Sequence, residues 1–248
     1  MRLSASLFAL TWWLACAASA AAGVDGATVA STATFRDDMA QRTLACTGCH
    51  GPNGRAGPDG YYPRLAGKPA GYLYNQLLGF RDGRRHYALM ERLIDPLSND
   101  YLLEIARHFA SLDVPYPPPA ASRLGQEQLE RGRQLVAQGD VARRLPACME
   151  CHGKALTGVL PTIPGLVGLP RDYLNAQLGA WRSGQRRAHA PDCMAEIASR
   201  LAPEDVVAIA GWLAAQPVPA AAKPSPGPLK NPPLECGSAV LPTTRAGR

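Results

Sequence analysis

Two pentapeptides that share one pattern of cysteine and histidine are the residues of this chain best suited to chemistry. CTGCH occupies residues 46–50 and CMECH occupies residues 148–152. In each, two cysteines separated by two residues are followed directly by a histidine, which is the pattern by which haem is attached to a polypeptide. Two intervening residues allow one helical turn to present both sulfurs to one porphyrin edge. The motifs therefore predict two covalently bound haem c groups.

In each motif the thiols are expected to bond to the haem and the histidine to bind its iron. The predicted attachment residues are Cys46, Cys49 and His50 for the first haem and Cys148, Cys151 and His152 for the second. Other uses of this pattern fit less well. A redox-active CxxC is expected near a βαβ pattern, which the sequence lacks. A structural zinc needs four ligands in one place, and a disulfide within a motif would close a very small strained loop.

The sixth ligand of each iron decides whether it carries electrons or binds other molecules. Met90 and Met194 follow the motif histidines by 40 and 42 residues. A thioether opposite an imidazole raises the haem potential and fills the last iron position, as expected of an electron carrier, so we predict these methionines as ligands. Filling the core is their alternative role. His86 and His189 are the competing ligands, although the arginine-rich stretches RRHYALM and RRAHAPDCM are typical of solvated loops.

The motifs are parts of a longer internal repeat. YLYNQLLGFRDGRR matches YLNAQLGAWRSGQRR at an offset of 101 residues, and LSNDYLLEIARHFASL matches LAPEDVVAIAGWLAAQ at an offset of 104. Ser98 and Pro203 are typical helix starts, and no stretch shows the sustained alternation that strands require. Apolar spacing in the second copy is helical. Its residues are Leu129, Gly132, Leu135 and Val136 before the cysteines and Val206, Val207, Ile209, Ala210 and Leu213 after them.

The repeat predicts an all-α fold with two tandem domains. We place domain 1 at residues 33–112 and domain 2 at residues 123–216, joined by the proline-rich linker DVPYPPPAAS at residues 113–122. The prolines of the linker favour an extended, semi-rigid connection. Residues 217–248 form a tail whose proline content forbids helix, so an extended or partly disordered segment is expected there.

The first 22 residues have the pattern of an export signal. A basic start at Arg2 precedes an apolar run and small residues, which predict cleavage near Ala20 or Ala22 and a periplasmic protein. A retained membrane anchor and lipidation at Cys16 are the alternatives. No other stretch has 18 or more uninterrupted apolar residues, so the mature chain is expected to be soluble or peripherally attached to a membrane.

Two further cysteines, Cys193 and Cys236, remain after the motifs and the signal are set aside. An even pair in an oxidising compartment predicts a disulfide. This bond would hold the tail beside Met194 and stiffen the loop that presents it. The alternatives are two free thiols, or coordination of iron by Cys193 in place of its neighbour.

The net charge of +6 and the pI of 9.1 come mainly from the tail. A nucleic-acid-binding face would show a clustered basic stripe, which is absent, so no nucleic-acid partner is expected. Four arginines occupy equivalent places in the two copies: Arg84, Arg85, Arg186 and Arg187. Neutralising haem propionates, steering a partner and simple loop charge are their alternative roles.

Over residues 33–216 the chain resembles the class I cytochromes c and, in its tandem arrangement, the dihaem cytochrome c4 type. The segments YPRLAGKPAGYLYNQL and PGLVGLPRDYLNAQL are similar to the family's segment after the attachment motif, whose proline carbonyl orients the haem-binding histidine. By this resemblance Pro63 would hold His50 and Pro164 would hold His152. It also implies two helical domains about a pseudo-twofold axis, closely spaced haems and periplasmic electron transfer. Two departures are the lack of a counterpart of Gly132 in the first copy and the longer tail.

These features predict a one-electron carrier that transforms no substrate. The expected donor is a membrane component such as a quinol-oxidising complex or a dehydrogenase, and the expected acceptor is a redox protein such as a terminal oxidase. Two alternatives remain open. A dihaem peroxidase-like enzyme would need one iron with an open position. A cytochrome subunit of a periplasmic dehydrogenase complex would use the same haems and could dock through its basic tail.

Overall fold

The computed structural model describes residues 36–57, 59–239 and 241, so the predicted export signal lies outside the described residues. Helices dominate this part of the chain, and none of them is long and apolar enough to cross a membrane. A 3-10 turn at Pro52–Gly54 follows the first attachment motif, and another at Val141–Arg143 precedes the second. The α-helices are α1 (Met39–Arg42), α2 (Leu44–His50), α3 (Ala70–Arg81), α4 (Ala88–Ile94), α5 (Asn99–Ser111), α6 (Gln126–Gln138), α7 (Cys148–His152), α8 (Arg171–Arg182), α9 (Cys193–Arg200) and α10 (Pro203–Ala214).

Two hydrophobic cores follow the two copies of the repeat. The first is built around Tyr74, Leu102 and Phe109 on α3 and α5. The second is built around Val136 and Leu213 on α6 and α10. The prediction of a helical fold is therefore confirmed. We refer below to the first and second halves of the chain, and the predicted domain bounds stay predictions.

Helices α6 and α10 cross at Gly132 in the second half. A Cβ on Gly132 would overlap the carbonyl of Ala208, with its carbon at 2.7 Å, and would lie 2.9 Å from Cβ of Trp212. Glycine is therefore required for the two backbones to approach this closely. The apolar stripe predicted on α10 is buried except at Val207, which is 37% exposed.

Both predicted starts of the last helices are confirmed. The Ser98 hydroxyl accepts a hydrogen bond from the backbone N–H of Tyr101 at 3.2 Å and caps α5. Pro203 is the first residue of α10, where its missing N–H costs nothing. Asp205 follows in the first turn, with a side chain that is only 4% exposed. Its carboxylate pairs with Arg131 at 2.9 Å and with Arg143 at 2.6 Å, which ties α10 to α6 and to the loop before the second motif.

One short strand pair was not predicted. Strand β1 (Gly158–Val159) pairs antiparallel with β2 (Ile163–Pro164) directly after the second motif. Strands of two residues are too short to show a period-two pattern, which explains why the sequence did not reveal them. The described part of the tail, residues 217–239 and 241, contains no helix, as predicted from its prolines.

Candidate haem site

The two attachment motifs form short helices that end at their histidines. Helix α2 ends at His50 and α7 at His152, and each is followed by a glycine with positive φ, 73° at Gly51 and 83° at Gly153. Side-chain-bearing residues rarely adopt this conformation. A Cβ on Gly51 would also lie 2.8 Å from the carbonyl carbon of Ala56. The glycines therefore turn the chain back beneath each histidine.

This turn brings a proline carbonyl to each imidazole. Nδ1 of His50 lies 2.9 Å from the carbonyl oxygen of Pro63, and Nδ1 of His152 lies 2.8 Å from that of Pro164. A carbonyl only accepts hydrogen bonds, so Nδ1 carries the proton and donates it. The contacts expected from the family resemblance are confirmed. They fix the ring orientation and leave Nε2 free to bind a metal.

Both imidazoles are buried, with 7% and 8% exposure at His50 and His152. Burial lowers their pKa values, and this effect outweighs the bonds to Pro63 and Pro164, which act to raise them. The nearby positive charges lower the two pKa values further, Arg85 for His50 and Lys68 for His152. The neutral ring, which is the form that binds a metal, is therefore favoured at neutral pH.

Neither attachment motif contains a disulfide, so the strained-loop alternative is not supported. Burial raises the pKa of Cys46 and of Cys151, and it raises the pKa of Cys148 to about 12. A redox-active CxxC pair requires a lowered thiol pKa. The pKa shifts of Cys46, Cys148 and Cys151 are in the opposite direction, which argues against that alternative.

Three of the motif cysteines and both motif histidines face a cavity of about 1150 Å³ that spans both halves. This volume exceeds the roughly 300–1,000 Å³ of an ordinary pocket for one small ligand. Cys49 is exposed and is the one predicted site residue that does not line the cavity. The predicted residues that line it are Cys46, His50, Met90, Cys148, Cys151, His152 and Met194.

The competing histidines line the same cavity, but each has another polar partner. His86 has a side chain that is 48% exposed, and its Nδ1 lies 3.5 Å from Oε1 of Glu91. Nε2 of His189 lies 3.2 Å from a guanidinium nitrogen of Arg84. The sulfurs of Met90 and Met194 make no such polar contact with the described residues, because a thioether is only a weak acceptor.

A buried donor without a partner also lies in the second half. The indole Nε1 of Trp181 makes no hydrogen bond within the described residues, and the ring lines the cavity. The guanidinium of Arg186 lies 3.8 Å above that ring. An acidic group in the cavity, such as a haem propionate, would satisfy both the donor and the charge. The residues present therefore fit haem.

The two halves contact each other through two equivalent hydrogen bonds, each from an arginine of one half to a glutamine of the other. Arg85 donates to Gln177 at 2.7 Å across the junction, and Arg186 donates to Gln76 at 2.8 Å in the opposite direction. Each arginine also donates to the glutamine of its own half, at 3.1 and 2.7 Å. Arg186 is only 4% exposed. Simple loop charge therefore does not describe this pair of arginines, which join the halves.

Lys68 is a second junction residue that the sequence did not reveal. Its side chain is buried, and Nζ donates to the carbonyl of Gly165 in the other half at 2.7 Å. Close by, a Cβ on Gly71 would lie 2.6 Å from the carbonyl oxygen of Pro161. The repeat could have indicated the arginine–glutamine contact, whose residues are equivalent in the two copies. The repeat contains no such signal for Lys68, because Leu169 stands at the equivalent place.

The disulfide between Cys193 and Cys236 is present, as predicted. It excludes Cys193 as an iron ligand in this structure, because the sulfur is already bonded. The bond joins the tail to the first residue of α9, next to Met194.

No protein-family model matches the chain. Among curated proteins, the chain is 38% identical to a thiosulfate dehydrogenase electron acceptor of Thiomonas intermedia, over 70% of this chain and 79% of that protein. It is 30% identical to cytochrome c4 of Pseudomonas aeruginosa, over 69% of this chain and 84% of that protein.

Solved structures with a similar fold carry the same two kinds of name as the curated relatives. The thiosulfate dehydrogenase TsdBA from Marichromatium purpuratum superposes with a TM-score of 0.63 at 33% identity, covering 71% of this chain but only 37% of that one. Reduced cytochrome c4 from Pseudomonas stutzeri superposes with a TM-score of 0.61 at 27% identity, covering 70% of this chain and 94% of the other.

Proposed function

Because this chain belongs to the cytochrome c4 family of class I electron-transfer cytochromes, we propose that it binds two haem c groups, each between one histidine and one methionine. Electron transfer with other redox proteins, through covalently bound haem c, is the function of the family. Bound haem iron supplies that chemistry by accepting and releasing one electron at a time. The observation that carries the proposal is the pair of buried histidine–proline contacts facing one continuous cavity.

We assign each motif residue a specific role. Cys46 and Cys49 attach the first haem, and His50 binds its iron through Nε2 while Pro63 holds the ring. Cys148, Cys151, His152 and Pro164 do the same for the second haem. The hydrogen bond from each histidine to its proline carbonyl keeps the imidazole in one orientation, so little rearrangement accompanies a change of iron charge.

Met90 and Met194 are the proposed sixth ligands. Both line the cavity, and each lies at the start of a short helix, α4 or α9, that follows the junction arginines. Filled ligand positions leave no site for a substrate. This arrangement favours an electron carrier over the dihaem peroxidase-like alternative, which needs one open iron.

The ligand assignment is tested with four full-length variants. Met90→Leu and Met194→Leu are each expected to remove about half of the methionine-to-iron charge-transfer absorption of the oxidised protein, since each removes one of two equivalent bonds. His86→Ala and His189→Ala are the matched controls and should leave it intact. Retention of the full absorption in both methionine variants, with loss in a histidine variant, would overturn the assignment.

We further propose that the protein acts in the periplasm and receives electrons from a dehydrogenase, with thiosulfate dehydrogenase as the first candidate. Support comes from two relatives, 38% and 35% identical, that are named as electron acceptors of that enzyme. The acceptor would be a further redox protein such as a terminal oxidase. A quinol-oxidising membrane complex is the alternative donor.

Stopped-flow absorbance distinguishes the donors. The oxidised protein is mixed with purified thiosulfate dehydrogenase and thiosulfate, with thiosulfate alone as the control. Rapid haem reduction that requires the enzyme is expected. Reduction by a quinol-oxidising complex but not by the dehydrogenase would assign the protein to the membrane donor instead.

A further inference from the structure

The tail follows a defined path across the second half. We call residues 217–239 and 241 the strap. Its Ser225 pairs with the strand region after the second motif: the N–H of Ser225 donates to the carbonyl of Gly158, and the N–H of Leu160 donates to that of Ser225, both at 2.9 Å. The strap therefore begins its path beside the second attachment motif.

The strap then reaches the loop that precedes Met194. Cys236 is bonded to Cys193, and the N–H of Gly237 donates to the carbonyl of Pro191 at 2.8 Å. A Cβ on Gly237 would lie 2.5 Å from the carbonyl oxygen of His189, so the two backbones are in close contact. A covalent bond and a backbone hydrogen bond thus both restrain this loop.

The end of the strap crosses onto the first half. Asn75 on α3 donates to the Ser238 hydroxyl at 2.7 Å and accepts from the backbone N–H of Ala239 at 2.9 Å. Ala239 and Leu241 pack against the first hydrophobic core. Between these anchors the strap lines the cavity, through Pro228, Leu229, Pro232 and Leu234.

The strap reaches α3 and the core of the first half, but within the described residues no backbone hydrogen bond or disulfide joins it to α4, which carries Met90. Leu89 precedes Met90 as Cys193 precedes Met194, yet Leu89 is 59% exposed. The two copies of the repeat therefore present different surfaces near their sixth-ligand methionines.

We infer that the strap is a positioning element for Met194: it holds the second methionine loop in place and makes the second iron harder for outside ligands to reach than the first. The inference rests on the proposed function, because it takes Met90 and Met194 as iron ligands. Exchange of methionine for another ligand requires the loop to open, and a loop with a covalent cross-link opens less often than one without it. Cys236 acts here only through Cys193 and the loop.

Imidazole is a suitable probe, because it replaces methionine on oxidised haem and abolishes the methionine-to-iron absorption. The wild-type protein is expected to lose this absorption in two steps, the first at lower imidazole concentration. Met90→Leu isolates the second site, since only Met194 remains. Adding Cys236→Ala to Met90→Leu should lower the imidazole concentration needed at the second site by about tenfold, as expected for a loop released from its local restraint.

Two controls complete the design. In the Met194→Leu background, which isolates the first site, Cys236→Ala should leave imidazole binding unchanged. Lys230→Ala changes an exposed strap residue and should have no effect in either background. An unchanged second site after loss of Cys236, or an equal change at both sites, would overturn the inference. If Met90→Leu removes none of the absorption, the ligand assignment fails instead, independently of the strap.

Loss of the cysteine could prevent maturation of the protein. In that case the disulfide of the folded, haem-loaded Met90→Leu protein is reduced and alkylated, and the irons are reoxidised before the titration. The same shift is expected, because the same restraint is removed. No shift after complete alkylation of Cys193 and Cys236, verified by mass, would again contradict the role of the strap.

Discussion

The close crossing of α6 and α10 predicts that a glycine-to-alanine substitution destabilises the protein at Gly132 but stabilises it at Gly179. Gly132→Ala places a methyl group against the backbone of α10, overlapping the Ala208 carbonyl and 2.9 Å from Cβ of Trp212. Backbone cannot rotate away as a side chain can, so the helices must separate. Adding one carbon to a packed core usually costs about 1–3 kcal/mol, and this contact belongs at the upper end.

Helix propensity acts in the opposite direction at Gly132. Alanine is favoured over glycine by about 1 kcal/mol inside a helix. The net expectation is destabilisation of the second half by about 2 kcal/mol. Gly179→Ala in α8 is the matched control, because nothing lies within 4 Å of its added Cβ. There only the propensity remains, so stabilisation by about 0.5–1 kcal/mol is expected.

Denaturant unfolding of the two oxidised variants, followed by haem absorption and tryptophan fluorescence, measures both effects as shifts of midpoint. The midpoint should fall for Gly132→Ala and rise slightly for Gly179→Ala. A Gly132→Ala protein as stable as the wild type would refute the close approach of the helices. Equal losses in both variants would show that the added methyl group harms any helix here, whatever its neighbours.

Two further predictions concern buried charges. Burial acts to raise the pKa of Asp205, but hydrogen bonds from Arg143 and Arg131 outweigh it and lower that pKa, so its contribution to stability is present above about pH 4 and is lost as the pH falls further. Asp205→Asn should lower the free energy of unfolding by about 2 kcal/mol at pH 7, less than for a fully buried ion pair because both arginines stay partly solvated. The substitution should also weaken the acid dependence of unfolding, and an unchanged acid dependence would contradict this prediction. Arg186→Met should destabilise the junction by about 2 kcal/mol, whereas the exposed Arg187→Met should not, as measured by thermal unfolding; equal effects would refute the junction role.

Much of the site follows from local sequence. The attachment motifs, the starts of α5 and α10 and the equivalent methionines depend on spacing within one segment, which a single sequence displays directly. The disulfide was predictable from parity and compartment, because only Cys193 and Cys236 remained unassigned. These features need no knowledge of how distant segments pack.

The contacts between distant segments were not predictable in the same way. Lys68 reaches Gly165 and the strap reaches Asn75 only after the halves are packed together, and no periodic pattern encodes such pairings. Arg186 lies in a stretch rich in arginine and glutamine, which predicted a solvated loop. Its burial depends on partners more than 100 residues away, Tyr72 and Gln76.

The central claim, two closed histidine–methionine haems in one chain, is tested most directly by the optical spectrum of the purified protein. Haem is quantified per chain as the pyridine haemochrome, and the reduced protein is then exposed to carbon monoxide. Two haems per chain, a methionine-to-iron absorption that accounts for both, and no spectral change with carbon monoxide are expected. One haem per chain, or carbon monoxide binding at either iron, would contradict the claim and favour a centre with an open coordination position.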